Sequence, residues 1–303
     1  MGIRHPLVHE IAKDTYLINE FGLCNHYLLV GSERALVIDC GMGYYDMVAL
    51  LATLTDKPYD VVITHGHPDH AGMMHQFDQV YINEKDLPML PWAAKPENFP
   101  LDEFIWNNRL HVGDWDVWEV TEDMANRGNK DTKTLPLNEG DVFDLGNRKV
   151  TAYALPGHSE GCMYFIDDMS RIAFTGDCCN YNLGTRTVPV STVLRGLIRI
   201  YNDYGVKYDR MFTGHSTYCG TLDVKANSIE VVKNLIEAYR SLLRGDAVFG
   251  WRRMQLFPDR PPHKVVYYGP EVQYPHENDR GPMVCVGFNE DLLWEEGEEH
   301  IIP

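Results

Sequence analysis

The sequence predicts an α/β protein in which sheets pack together with helices outside. Three observations carry that expectation. Strand-like apolar runs alternate with runs of helical periodicity through two halves of the chain. One such run, Val61-Val62-Ile63-Thr64, leads straight into His65, Gly66, His67, Pro68, Asp69 and His70. Three further runs end on a Gly placed immediately before a His or Asp, at Gly157-His158, Gly176-Asp177 and Gly214-His215.

Residues from about Leu7 to Asp39 alternate like strands. Thr15 to Ile18, Asn25 to Val30 and Ala35 to Ile38 are the candidates, with Gly31-Ser32-Glu33-Arg34 as the hairpin turn between the last two. Gly41 to Gly43 mark the turn into a helix over about Tyr45 to Leu54, whose apolar positions are Met47, Val48, Leu50, Leu51 and Leu54. After the motif strand, Ala71 to Phe77 reads as helix and Val80 to Ile82 as strand. Strands return at Val142 to Leu145 and Lys149 to Ala154, around a turn at Gly146-Asn147. Cys162 to Ile166 and Ile172 to Phe174 are two more. A helix over about Ser191 to Tyr204 has a Ser cap at one end and Gly205 at the other. A short strand at Arg210 to Phe212 precedes a helix over about Asp223 to Leu243, which stops at Gly245 and whose apolar stripe reads as core.

Two regions differ in texture. Residues 83–133 hold four prolines and four of the six tryptophans, Trp92, Trp106, Trp115 and Trp118. This stretch is too short and irregular to build its own core, so it reads as an insertion over the core that forms a lid or pocket wall, or else a homodimer surface or plain packing. The tail, 247–303, reads as an extension packed on the core, with strands at Val265 to Tyr268 and Met283 to Val286 and a solvated acidic face at Glu295 to Glu299. The expected organisation is one catalytic domain over residues 1–246, with the insertion, followed by that extension.

Composition excludes some roles. At 303 residues with 44% hydrophobic content the chain can bury a sizeable core. A formal net charge of -17 argues against a nucleic-acid backbone or an anionic membrane as main partner and leaves a small-molecule substrate. The stretch MGIRHPLVHE lacks an apolar h-region, no run is long enough to span a bilayer, and seven cysteines follow no zinc-type spacing. Together these predict a reducing, cytoplasmic setting.

The chemistry lies in the histidines. Past a strand end, His65 and His67 stand two apart and can face one ion, with Gly66 bending the backbone and Pro68 holding His67 extended. Asp69 and His70 come one turn onward and point elsewhere, as a second ion requires. Imidazole nitrogen and carboxylate oxygen suit zinc, iron or manganese. Structural zinc sites favour cysteine, which is absent from the motif. One motif supplies too few ligands for two metals, and the strand ends at His158, Asp177 and His215 are the remaining candidates.

These residues make the chain resemble the metallo-β-lactamase superfamily. The matching stretches are VIDCG at Val37 to Gly41, THGHPDHAG at Thr64 to Gly72, LPGHSEG at Leu155 to Gly161, FTGD at Phe174 to Asp177 and TGH at Thr213 to His215. The resemblance implies a four-layer αββα sandwich with metals in a cleft at one sheet edge. It implies that His65, His67 and His158 hold a first divalent ion and that Asp69, His70 and His215 hold a second. Asp177 would bridge the two, and Asp39 would orient a ligand or, equally, cap the next helix. Zinc is the expected ion, with iron or manganese as alternatives. Two such ions about 3.5–4 Å apart can share one water and bring its pKa from roughly 15.7 to about 7. The expected reaction is therefore hydroxide attack on a carbonyl or phosphoryl centre, with Asp69 and Asp177 as the catalytic carboxylates.

Within that family Asp177 is informative, because true β-lactamases of the fold lack an acid there while glyoxalase II-type thioesterases, lactonases and phosphodiesterases have one. His67 stands where flavin-linked di-iron reductases carry Glu. Lactonases often carry a Tyr soon after the bridging Asp; here Cys178-Cys179-Asn180 precede Tyr181, and the two cysteines read as buried inert thiols. Arg252 and Arg253 do not form a clear glutathione-binding cluster. The expectation is a dinuclear metal-dependent hydrolase of carboxylic esters, thioesters or lactones. Phosphodiester hydrolysis, mononuclear-iron sulfur dioxygenation, weak β-lactam hydrolysis and a non-catalytic metal-binding scaffold are the alternatives.

Overall fold

Residues 36–38 show how the chain sets its layers. Leu36 and Ile38 face one core while Val37 faces another, as in a strand buried on both sides. The same split recurs at Tyr27, Leu28 and Leu29, at Val61, Val62 and Ile63, and at Met163, Tyr164, Phe165 and Ile166. A computed structural model describes residues 3–93, 101, 119–215, 224–252, 262–269 and 284–303.

The first sheet has seven strands in sequence order: β1 (Leu7–Ala12), β2 (Thr15–Glu20), β3 (Cys24–Val30), β4 (Ala35–Ile38), β5 (Tyr59–Val62), β6 (Gln79–Ile82) and β7 (Lys133–Pro136). Pairing is antiparallel through β4 and parallel from β4 to β7. The second sheet comprises β8 (Val142–Asp144), β9 (Lys149–Ala154), β10 (Met163–Asp167), β11 (Ile172–Phe174) and β13 (Arg210–Phe212), in the order β13-β11-β10-β9-β8. Strand β12 (Asn182–Gly184) instead joins β14 (Phe249–Arg252), β15 (His263–Tyr268) and β16 (Val284–Gly287) in a third, four-stranded sheet.

Three cores stack these parts as helix, sheet, sheet, helix. Leu17, Tyr27, Leu36 and Val62 of the first sheet meet Val150, Phe165, Phe174 and Phe212 of the second in the middle core. Helix α1 (Met47–Leu54) buries Met47 and Leu51 on the outer face of the first sheet. Two short helices, α2 (Pro68–Ala71) and α3 (Leu90–Ala93), lie at the site edge. Helices α4 (Val190–Asp203) and α5 (Ile229–Arg244) cover the outer face of the second sheet, sharing that core with Val266, Val284 and Val286 of the third. Arg148 ties the two central sheets together. Its buried guanidinium donates to Asp167, to the carbonyls of Asp14 and Val30 at 3.0 and 3.3 Å, and to Thr15 Oγ1 at 3.0 Å.

Several sequence expectations need correction. The helix expected over Ala71 to Phe77 is α2 followed by turns, because the chain returns from 128–132 to use its polar groups. His75 bridges Gly128, and Thr132 Oγ1 donates toward the carbonyls of Met74 and Phe77. Helix α4 starts at Val190 after Pro189, and Ser191 is not its cap; Ser191 Oγ donates to Glu298 instead. Helix α5 starts later than expected, after Ser228, whose side chain accepts from Glu230 N. The acidic tail is only partly a solvated face. Glu295 and Glu298 pair with Arg195 and accept from Thr192 and Ser191 in the first turn of α4, where helix-dipole electrostatics favour carboxylates. Trp106, Trp115, Trp118 and Arg253 lie outside the described residues, as do residues 94–100. No helix among the described residues is long and apolar enough to cross a membrane. The six described cysteines are buried and free.

Candidate metal centre

Strand direction brings the candidate residues to one edge. β4 and β5 run parallel, so Asp39 and the His65 motif emerge at the same end. β9 is antiparallel to β10, β10 antiparallel to β11, and β11 parallel to β13. The loops after β9, β11 and β13, which carry His158, Asp177 and His215, therefore also leave together. Of the three glycines that precede these residues, only Gly176 has a positive φ, at 48°. Gly214 serves close approach instead: a Cβ there would lie 2.5 Å from His70 Cε1 and 2.7 Å from Asp177 Oδ1.

All seven predicted residues gather, in two groups. His65, His67 and His158 form one, and Asp69, His70, Asp177 and His215 the other, with the ligand atoms of each group within 4.8 Å of one another. In the first, His67 Nδ1 stands 2.9 Å from His65 Nε2 and 2.8 Å from His158 Nε2. Burial depresses the basicity of all three; for His65 the neighbouring His70, His67 and His158 add to it, and His158 falls to about 4. Three neutral imidazoles thus point nitrogens at one another, and a single shared proton cannot satisfy them all.

The second group is anionic and tightly tethered. Asp39 Oδ1 accepts from Thr64 N at 2.6 Å, and Oδ2 accepts from Thr64 Oγ1 and His70 Nδ1, both at 2.8 Å. That fixes one proton of His70 on Nδ1 and turns Nε2 toward Asp69 and Asp177 at 3.6 Å each. His70 Nε2 is buried and has no hydrogen-bond partner among the described residues. Similarly, His215 Nδ1 donates to the Leu23 carbonyl at 2.9 Å, so its Nε2 faces Asp69 Oδ2 and Asp177 Oδ2, each at 3.2 Å. Because Thr64 Oγ1 gives its only proton to Asp39, it accepts from His65 Nδ1 at 3.1 Å, which bares His65 Nε2 as well.

Asp177 stands between the groups, 3.2 Å from His215 and 3.5 Å from His158 through Oδ2 and 3.6 Å from His70 through Oδ1. Burial opposes ionisation of Asp69 and Asp177, yet the adjacent His70 and His215 hold both carboxyls below their usual range. His70 is the mirror case: burial lowers it, but Asp69, Asp39 and Asp177 raise it to about 9. Buried imidazole nitrogens beside ionised carboxylates, with one His70 proton for a cation to displace, fit divalent cations, and these side chains could hold them.

A third group, Glu20, Cys24 and His26, lies nearby. Its carboxylate is already saturated: Met42 N, Gly43 N, Tyr44 N and the Cys24 thiol all donate to Glu20. Glu20 therefore pins the loop after Asp39. Sequence reading missed it, and missed Asn180, whose Nδ2 donates to Asp177 Oδ1 at 2.8 Å. It also missed Asp86, buried within the segment read as insertion. None carries a local signal, since each is a single polar residue whose partners are distant in sequence. Cys178 and Cys179 are buried as expected; a hydrogen bond with Cys162 and burial raise the first thiol, and burial the second.

Two face-to-face mixed sheets with helices on both outer faces, and a strand-end cluster of five histidines and two aspartates, define an αββα sandwich with a candidate metal centre. The chain belongs to the Metallo-beta-lactamase superfamily, which it matches over residues 19–215. Among curated relatives it is similar to acyl-coenzyme A thioesterase MBLAC2 of Bos taurus, at 31% identity over 165 residues, 50% of this chain and 57% of that one. It is similar also to hydroxyacylglutathione hydrolase GloC of Haemophilus influenzae, at 26% identity, covering 48% of this chain and 61% of that one. The chain thus spans little more than half the length of these relatives. A metallo-beta-lactamase family protein from Thermus thermophilus shares the fold, with a TM-score of 0.53 and 21% identity over 78% of this chain and 82% of that one.

Proposed function

We propose that this chain is a dinuclear metal-dependent hydrolase of small carboxylic thioesters and esters, lactones included. The observation that carries the reading is the position of Asp177, one carboxylate within 3.6 Å of a histidine from each group. The chemistry that a pair of divalent ions, zinc first, supplies when bound is an acidified water and a polarised carbonyl oxygen. The chain's residues do the rest. Asp39, Thr64 and the Leu23 carbonyl fix ring tautomers so that lone pairs face inward. Asp69, held ionised by His70 and His215 and only partly buried at its side chain, is placed to take up and release a proton. The names of the two relatives support the thioester class.

A hydrolysis panel tests this, with chain reconstituted in zinc, manganese or iron and offered an acyl thioester, a lactone, an aryl ester, a phosphodiester and a β-lactam. The thioester or ester should turn over fastest, and Asp177→Asn should lose at least about a hundredfold in rate, the scale on which a single electrostatic contact to the reacting centre acts. Full activity in that variant, or turnover that survives removal of metal, contradicts the proposal. The three-histidine group alone would suit a mononuclear iron oxygenase; one iron per chain with oxygen consumption would favour that reading instead.

A further inference from the structure

The first group draws its ligands from two loops, and one buried carboxylate joins them. Asp86 sits in a 3-10 turn (Glu84–Met89) just before α3 and is 1% exposed. Its Oδ2 accepts from Gly66 N at 2.9 Å, the backbone between His65 and His67. The same oxygen accepts from Ser159 Oγ at 2.6 Å, beside His158, and Oδ1 accepts from Gly161 N at 2.8 Å. Lower down, at the strand ends, Met163 N donates to the Thr64 carbonyl, but Asp86 is what meets the ligand-bearing turns themselves.

The glycines make this approach possible. A Cβ at Gly66 would fall 2.9 Å from the Asp86 carbonyl oxygen and 3.0 Å from Met89 Cβ, and a Cβ at Gly161 would fall 2.6 Å from Asp86 Oδ1. Continuing from the same turn, α3 sets the Trp92 ring edge-on to His67, with centroids 6.2 Å apart. Among the described residues no lysine or arginine forms an ion pair with Asp86, so both oxygens are committed to the two loops.

We propose that Asp86 is a positioning residue for the three-histidine group, a carboxylate clamp that sets the spacing between His65, His67 and His158 before any cation arrives. The inference rests on the metal-centre reading above and goes beyond it in assigning a residue that contacts neither cation nor substrate. Asn at this position keeps the shape but fails the clamp. Either orientation of its amide turns an NH2 toward a backbone N–H, at Gly66 or at Gly161, and neither of those can accept. Loss of an outer partner of this kind weakens metal binding by about 10- to 100-fold.

The test is cobalt(II) uptake by the full chain, read by absorption and chelator competition in two single-group backgrounds. His215→Ala isolates the three-histidine group, and His158→Ala isolates the Asp69 group. Asp86→Asn should weaken cobalt binding by about 10- to 100-fold in the first background and by less than about threefold in the second. Equal losses in both, or none in the first, overturn the clamp. Should Asp86→Asn fail to fold, Ser159→Ala removes one arm only; about a three- to tenfold loss confined to the first background supports the clamp, and unchanged affinity overturns it. A parent chain that takes up no cobalt would overturn the reading of the centre itself, and the clamp with it.

Discussion

Asp39→Asn alters one atom type at the base of the centre and removes the acceptor that holds a proton on His70 Nδ1. Asp39 has a φ of 64°, a conformation asparagine tolerates as well as aspartate, so the replacement adds no backbone strain. Thr64 N can only donate, so the amide oxygen must stay opposite it, where Oδ1 now lies at 2.6 Å. The amide NH2 then faces His70 Nδ1 at the 2.8 Å contact. A cation on Nε2, the atom aimed at Asp69 and Asp177, leaves the ring its proton on Nδ1, where it would meet that NH2 donor against donor. The ring must turn or that contact must break when a cation binds, and losses from removing an outer partner of a ligand run to about 10- to 100-fold, or about 1.4–2.8 kcal/mol. Cobalt titration with a competing chelator measures it. The Asp69 group should weaken by that amount. Unchanged affinity for the Asp69 group refutes this role of the Asp39–His70 contact.

Other outcomes follow from the same geometry. In the metal-free chain His70 holds its proton up to about 9, and a cation must displace it, so affinity at the Asp69 group should rise about tenfold per pH unit from pH 7 and flatten near 9; calorimetry showing no rise contradicts this. Burial, helped by His70, holds His26 neutral down to about 3. That folded value lies below the ordinary histidine value, so the unfolded chain takes up the proton first, and stability is lost as pH falls from about 6.5 to 4, by about 3 kcal/mol from His26 alone. Over that window the opposite contribution of His70 is already complete, so urea midpoints of the metal-free chain should fall; constant midpoints would falsify this. Asp167→Ala leaves the Arg148 guanidinium buried without its carboxylate and should cost about 3–5 kcal/mol in chemical denaturation, with metal uptake unchanged. A loss under about 1 kcal/mol would show that the link between the sheets is dispensable.

Much of the centre was legible in the chain because its residues announce themselves locally. His65 to His70 is dense in imidazole, and the other three residues close recognisable strands. Strands buried on both faces, such as Ala35–Ile38 and Met163–Asp167, were equally plain. What escaped depends on partners far along the chain. Met73, Met74 and Phe77 have the composition of a helix, yet residues 128–132 take the backbone groups that a helix would use. Asp86 is one acid in an irregular stretch, and only its contacts to Gly66, Ser159 and Gly161 give it meaning. Glu20 ends an ordinary strand, and its role lies in three backbone N–H groups more than twenty residues away. The parallel pairing of β12 with β16 joins segments about a hundred residues apart, which no local pattern records.

The most direct measurement is the number and location of divalent ions taken up by the chain, by equilibrium dialysis against zinc with elemental analysis and anomalous diffraction. Two ions per chain are expected, one among His65, His67 and His158 and one among Asp69, His70 and His215, with Asp177 touching both. A single ion, or two ions seated elsewhere, would contradict that expectation.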